Sequence, residues 1–238
     1  MLMRNTTYAI TLIIIALSWL PASAQFGAKS VVLMEGVVLD EGNLKPIGAT
    51  IEVYDPTTHG KVNSYRSNIT SGAYTIVLKP SQHFTFRISS KGYFTTEEDV
   101  RTPASEKYEH ITRDFSLKPA TPGAEIPIIG RLFEFKKKEL SVGADEDLAD
   151  LTHLMKLNPD AKISVVSYPD QTGDAMRNLA LTNARAAAVK DFLVTNGIDS
   201  MRIQTAGNGD LDPATKATTR RRAKGKHAVG RVYIRVIG

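Results

Sequence analysis

The chain has 238 residues, 42% of them hydrophobic and 23% charged, with a formal net charge of +5. That length allows one large domain or two of ordinary size, and the composition excludes a disordered chain and a multi-spanning membrane protein. Cysteine is absent, which removes disulfides and any cysteine-borne lipid anchor.

The first residues read as a targeting segment. Arg4 supplies a positive start, Ile10 to Leu17 an apolar run, and Pro21-Ala22-Ser23-Ala24 a small-x-small cleavage site. The run falls short of the ~20 residues a spanning helix needs, so cleavage before Gln25 is expected, with no transmembrane span in the mature chain.

From about 30 to 118 the pattern is one of short strands between turn residues. Val31 to Asp40 is an apolar run ended by Glu41-Gly42-Asn43, and Ala49 to Tyr54 alternates and stops at Asp55-Pro56. Tyr74, Ile76 and Leu78 share one face, as do Phe84, Phe86 and Ile88, and Tyr108 to Leu117 closes the set. Regular short strands with Gly, Pro and Asn turns predict an all-β, antiparallel sandwich over 25–118. Gly36-Val37-Val38-Leu39-Asp40, Pro46-Ile47-Gly48-Ala49-Thr50-Ile51-Glu52-Val53, Ser71-Gly72-Ala73-Tyr74-Thr75-Ile76 and Lys91-Gly92-Tyr93 resemble the carboxypeptidase-regulatory-like (transthyretin-like) domain. These are turn and core positions, so they speak for fold rather than activity. His83 and His110 stand apart and form no zinc signature, and no metal or cofactor is expected.

The run Lys118-Pro119-Ala120-Thr121-Pro122-Gly123-Ala124 marks residues 119–126 as a linker between independently folding halves. Beyond it strands and helices alternate. Leu132 to Phe135 predicts a short strand, and Leu148, Leu151, Leu154 and Met155 a helix ended by Asn158-Pro159. Lys162 to Tyr168 predicts a strand, and about 174–196 a long helix closed by Gly197. Ile203 to Ala206 and Val232 to Ile237 complete an α/β sandwich over 127–238.

The informative segment runs Ser167-Tyr168-Pro169-Asp170-Gln171-Thr172-Gly173-Asp174, then Asn178-Leu179-Ala180-Leu181-Thr182-Asn183-Ala184-Arg185-Ala186. Asn178 and Arg185, seven apart on a helix, share a face, and Asp170 lies in the loop that feeds it. An acid, an amide and an arginine so placed could trap a ligand bearing ammonium and carboxylate. Taken singly, Asp170 also fits a turn aspartate and Arg185 a solvated helix residue.

These residues, with Asn196-Gly197-Ile198, Arg202-Ile203 and Gly207-Asn208-Gly209-Asp210-Leu211-Asp212-Pro213, resemble the OmpA-like domain. The resemblance implies a non-catalytic, peptidoglycan-binding envelope protein. Arg185 would hold the carboxylate of a diaminopimelate in the stem peptide and Asp170 its ammonium, with Asn178 auxiliary. The alternative is a structural module that keeps the fold and has lost the ligand. Two departures stand out. The family's Gly-His-Thr-Asp is Ser167-Tyr168-Pro169-Asp170 here, and its closing Gly-Arg-x-x-Asn-Arg-Arg-Val is Gly225-Lys226-His227-Ala228-Val229-Gly230-Arg231-Val232. Lys226 and Arg231 are the residues left to restore the lost charge.

A basic, acid-free stretch from Lys216 to Arg235 follows. Behind an export signal, anionic glycan, phospholipid headgroups or plain solvation explain it better than nucleic acid. The expected location is the periplasm, at the outer membrane or wall, with the β-sandwich free to engage another envelope protein. No Ser-His-Asp spacing, metal motif or paired catalytic carboxylates can be picked out, which argues against an enzyme. Export predicts a mature chain that starts at Gln25. Intact-mass measurement of the secreted protein checks it, and a chain starting at Met1 in the membrane pellet overturns it.

Overall fold

The computed structural model describes residues 30–214 and 229–238. The expected signal segment, Lys226 and most of the basic stretch lie outside the described residues. Among those described, no helix is long and apolar enough to cross a membrane.

Alternating side chains build the first half. Its strands are β1 (Val32–Asp40), β2 (Thr50–Tyr54), β3 (Lys61–Arg66), β4 (Ala73–Leu78), β5 (His83–Ser89), β6 (Thr96–Arg101), β7 (Glu109–Thr112) and β8 (Phe115–Leu117). One sheet joins β4, β1, β7 and β8, and the other runs β3-β2-β5-β6. Met34, Ile51, Ile76, Phe86, Ile88 and Phe115, drawn from both sheets, fill one core. Within it Tyr74 stacks on Phe115 at 5.4 Å, and Phe86 lies 5.9 Å from the same ring.

The expected antiparallel pattern needs correction, because β7 and β8 run parallel to β1. Between them the Arg113 carbonyl presses against Gly36, where a Cβ would lie 1.8 Å from its oxygen. Asp114 then accepts the Val37 N–H at 2.9 Å, and Tyr74 donates its hydroxyl to the Arg113 carbonyl. A glycine is required at that crossing. The polar edge strands β3 and β6 had no apolar alternation to announce them. They are held by pairing and by cross-strand charges, Lys61–Glu52 at 3.1 Å and Arg87–Glu97 at 2.6 Å. Charged edges of this kind resist further strand addition.

The second half contains β9 (Glu125–Pro127), α1 (Ala144–Leu157), β10 (Ile163–Ser167), α2 (Ala175–Thr195), a short 3₁₀ turn (Ser200–Arg202), β11 (Ile203–Gly207) and β12 (Val232–Val236). Its sheet has the order β11-β10-β12-β9, parallel between β10 and β11 and antiparallel elsewhere. Acidic Asp145, Glu146 and Asp147 in the first turn of α1 suit the positive end of the helix. Asp174 caps α2 by accepting from the Met176 and Arg177 N–H groups, and Gly197 (φ 93°) ends it. Buried Thr182, Arg185, Ala186, Val189 and Leu193 form the inner stripe of α2. The expected strand at Leu132 to Phe135 is a single bridge, Phe133–Leu140, because the chain turns back over the sheet at Glu134.

The join between halves departs from a free linker. Ala120 N–H bonds the Gly92 carbonyl at 2.8 Å, and Gly123 N–H bonds that of Val236 at 2.8 Å. Residues 125 and 126 are already strand. Phe94, from the first half, is 1% exposed and belongs to the second half's core with Leu148, Met155 and Ile234. Beside it Asn158 and Thr95 exchange two hydrogen bonds, of 2.8 and 2.9 Å. A cleft of about 540 Å³ opens along this seam, between Phe94, Glu97, Lys118, Ile128, Asp150 and Leu154.

Removing a buried Phe side chain costs about 3–5 kcal/mol. Phe94→Ala is therefore expected to lower the melting midpoint of the second half in the full chain. Residues 125–238 expressed alone, which lack Phe94, should melt below the same half in the intact protein. Calorimetry checks both, and unchanged midpoints would show the halves to be uncoupled.

Candidate functional site

Four pieces of chain converge at the N-terminal half of α2. The chain leaves β10 at Ser167, Tyr168 N–H bonds the Arg231 carbonyl at 2.9 Å, and after Pro169 the chain bends at Asp170, which is buried. Arg185 comes from the buried stripe of α2. The turn at Glu134 to Lys138 closes over the top, and Gly230 arrives just before β12.

Asp170 and Arg185 meet directly. Arg185 Nη1 donates to Asp170 Oδ1 at 2.6 Å and Nη2 to Oδ2 at 3.0 Å, with the side chains 0% and 2% exposed. The carboxylate also accepts the Lys136 N–H at 2.6 Å and the Gly230 N–H at 2.7 Å. The guanidinium donates further to the carbonyls of Lys137 (Nε, 2.7 Å) and Glu134 (Nη2, 2.9 Å), and lies 5.0 Å from the centre of the Phe133 ring. Both charges are thus paired, forked and hydrogen-bonded, which a buried ion pair requires. Burial pushes the Asp170 carboxyl up. The bonds from Arg185, Gly230 and Lys136 outweigh it and hold the pKa below the ordinary carboxylate value.

The sequence singled out these two side chains, but each simpler reading of them fails. Arg185 is not solvated, and Asp170 takes its backbone bonds from Lys136 and Gly230, far away in the chain. Neither charge stands open to a ligand in this state, since each satisfies the other. Asn178 is half-buried and bonds neither of them. Its amide donates to the carbonyls of Gln171 (3.0 Å) and Gly209 (3.1 Å), tying together the loops at this end of α2. Arg231, expected to restore charge at the site, is exposed, and its charge acts on the Tyr233 phenol, which donates to Asp212 at 2.7 Å.

Gly230 explains the chain's departures from the pattern. A Cβ there would lie 1.8 Å from the Tyr168 carbonyl oxygen and 2.7 Å from the Pro169 carbonyl carbon. The Tyr168-Pro169 backbone occupies the space a side chain at 230 would need, and the bare Gly230 N–H reaches Asp170. Glu134, Lys136 and Lys137, which the sequence did not single out, act through backbone groups. Such groups belong to every residue type and leave no signal in a sequence. Among the described residues no group of His, Asp and Glu is placed to hold a metal.

Residues 132–226 match the OmpA family, so this part of the chain is an OmpA family domain. Outer membrane protein A of Bordetella avium is 32% identical over 122 residues, covering 51% of this chain and 61% of that protein. The peptidoglycan-binding protein ArfA of Mycobacterium tuberculosis is 38% identical over 73 residues, covering 30% of this chain and 22% of that protein. Among solved structures, the peptidoglycan-associated lipoprotein from Burkholderia pseudomallei aligns with a TM-score of 0.37 at 21% identity, over 44% of this chain and 86% of that one. The chain thus spans less than two thirds of the length of these curated relatives.

A carboxyl whose pKa folding depresses adds stability above its unfolded value, about 4. That contribution is lost as pH falls through the folded value. Chemical denaturation from pH 7 down to pH 2 is expected to show a steeper acid-side loss in the wild type than in an Asp170→Asn/Arg185→Met double variant. Equal slopes would mean that the pair makes no pH-dependent contribution.

Proposed function

We propose that the chain is a non-catalytic cell-envelope protein that binds peptidoglycan through its OmpA family domain, at Asp170 and Arg185. The observation that carries the reading is the buried, bidentate Asp170–Arg185 pair, held under a turn by backbone bonds alone. A ligand with one carboxylate and one ammonium can exchange for the internal contacts without stranding a charge. Its carboxylate takes the place of Asp170 on the guanidinium, and its ammonium faces the carboxylate so released. The free end of a diaminopimelate residue in a stem peptide carries both groups. The OmpA family match and the similarity to a protein named for peptidoglycan binding support the same ligand. Asn178 contributes by fixing the loops around the site.

In this reading the protein works in the periplasm, at the outer membrane or wall. The β-rich first half, of carboxypeptidase-regulatory-like type, contacts another envelope protein and makes the chain an adaptor. A second reading is a structural module without a ligand. The internal bonding of Arg185 favours it, because the contacts a ligand carboxylate would make to the guanidinium are already made by Asp170.

Sedimentation with purified sacculi separates the two. Breaking a buried pair by removing one partner costs about 3–5 kcal/mol, so single substitutions confound folding with binding. The Asp170→Asn/Arg185→Met double variant leaves no orphaned charge and is expected to melt close to the wild type. Its sacculus retention should fall more than about tenfold, since losing a desolvated charge contact costs about 2–5 kcal/mol of binding. A muropeptide containing diaminopimelate should displace the wild type. Undiminished retention of a folded double variant would establish the pair as scaffolding.

A further inference from the structure

The turn over the charge pair uses its backbone and leaves its side chains idle. Lys136 N–H and the carbonyls of Glu134 and Lys137 hold Asp170 and Arg185, while the side chains of Lys136, Lys137 and Lys138 stand exposed. Among the described residues none of the three lysines makes an ion pair, whereas the pair beneath them is neutral as a unit. Residues 131–139 carry four cations (Arg131, Lys136, Lys137, Lys138) against two acids, Glu134 and Glu139. Glu139 is partly committed, accepting the Lys138 N–H at 3.3 Å.

Lys136 adds a second observation. Its φ of 59° lies in the left-handed region, which glycine or asparagine occupies at less cost than lysine. The N–H that this conformation aims at Asp170 would be supplied equally well by glycine. What lysine adds is an ammonium beside the site, here 5.2 Å from the centre of the Phe135 ring. Strain retained at a binding site points to a use for the side chain that bears it.

We propose that Lys136, Lys137 and Lys138 form an anion subsite beside the Asp170–Arg185 pair, selecting stem peptides whose remaining carboxylates are free over stem peptides in which they are amidated. The inference rests on the wall-binding reading above and names the ligand more closely. An extended peptide advances about 3.3–3.6 Å per residue. A ligand anchored at the pair therefore places its next one or two carboxylates within reach of lysines rooted in the turn that touches Asp170. Exposed ion pairs are individually weak, each worth about 1.4- to 5-fold in affinity. Two engaged together multiply to about twofold to 25-fold, and a preference of about threefold to tenfold is the middle of that range.

The test is titration calorimetry of the full chain with two disaccharide-tripeptide muropeptides. Both contain diaminopimelate, and they differ only in whether the glutamyl α-carboxylate is free or amidated. The wild type is expected to bind the free form about threefold to tenfold more tightly, and to lose that preference near 1 M salt, where the screening length is about 3 Å. The Lys136→Gln/Lys137→Gln/Lys138→Gln variant keeps every backbone bond of the turn. It should retain the wild-type melt and bind both muropeptides equally, no more tightly than the wild type binds the amidated one. Lys138→Gln alone, at a residue with no bond to the pair, should give a partial loss of preference. Equal binding of both muropeptides by the wild type would overturn the subsite and leave the wall-binding reading standing, as would a preference that survives in the triple variant. Binding of neither muropeptide would overturn both.

Discussion

The arrangement of the second half depends on one buried ion pair. Asp170 and Arg185 have almost no exposure, and a charge so placed is tolerated only when every donor and acceptor around it is satisfied. Meeting that condition draws in the turn at 134–138, the end of β10, the inner stripe of α2 and the approach to β12. Their backbone groups are fixed as a consequence, and the Phe133 ring is laid against the guanidinium. The pair is costly to break and equally constraining to keep, because each neighbour must present a specific N–H or carbonyl.

Around the pair, the chain secures α2 by means that do not involve charge. Asp174 caps the helix, Asn178 bridges two loops, and buried Thr182 donates to the carbonyl of Asn178 and lies within bonding distance of that of Asn208. Gly207 allows β11 to approach the helix so closely that a Cβ would sit 2.6 Å from the Asn183 nitrogen. Pro169 and Gly230 fit the same logic. They look like losses when each is compared singly with the family pattern. Together they form one close backbone crossing that delivers an N–H to the carboxylate.

The two halves meet through packing rather than through a tether. Phe94 leaves its own domain to fill a place in the neighbouring core, and the reciprocal Asn158–Thr95 bonds hold the backbone that carries it. Glu97 shows how a polar edge strand serves both sides: it pairs with Arg87 within its sheet and comes within 3.7 Å of His153 on α1. The OmpA family domain is in this way coupled to the β-rich half through α1.

The sequence alone determined most of the elements, because side-chain periodicity is a local property. Tyr74-Ile76-Leu78, Phe84-Phe86-Ile88 and the stripe of α2 each place apolar groups on one face whatever lies elsewhere, and Asp174 and Gly197 mark the helix ends by their own chemistry. It also brought Asp170 and Arg185 together as a pair of interest. Strands β3 and β6 were not legible, since an edge strand is held by its neighbour's hydrogen bonds and needs no apolar face of its own. The parallel course of β7 and β8, the departure of Phe94 and the mutual engagement of Asp170 and Arg185 were decided only by the tertiary structure. Each depends on partners tens of residues away that act through backbone atoms or shape, and these carry no residue-type signature along the chain.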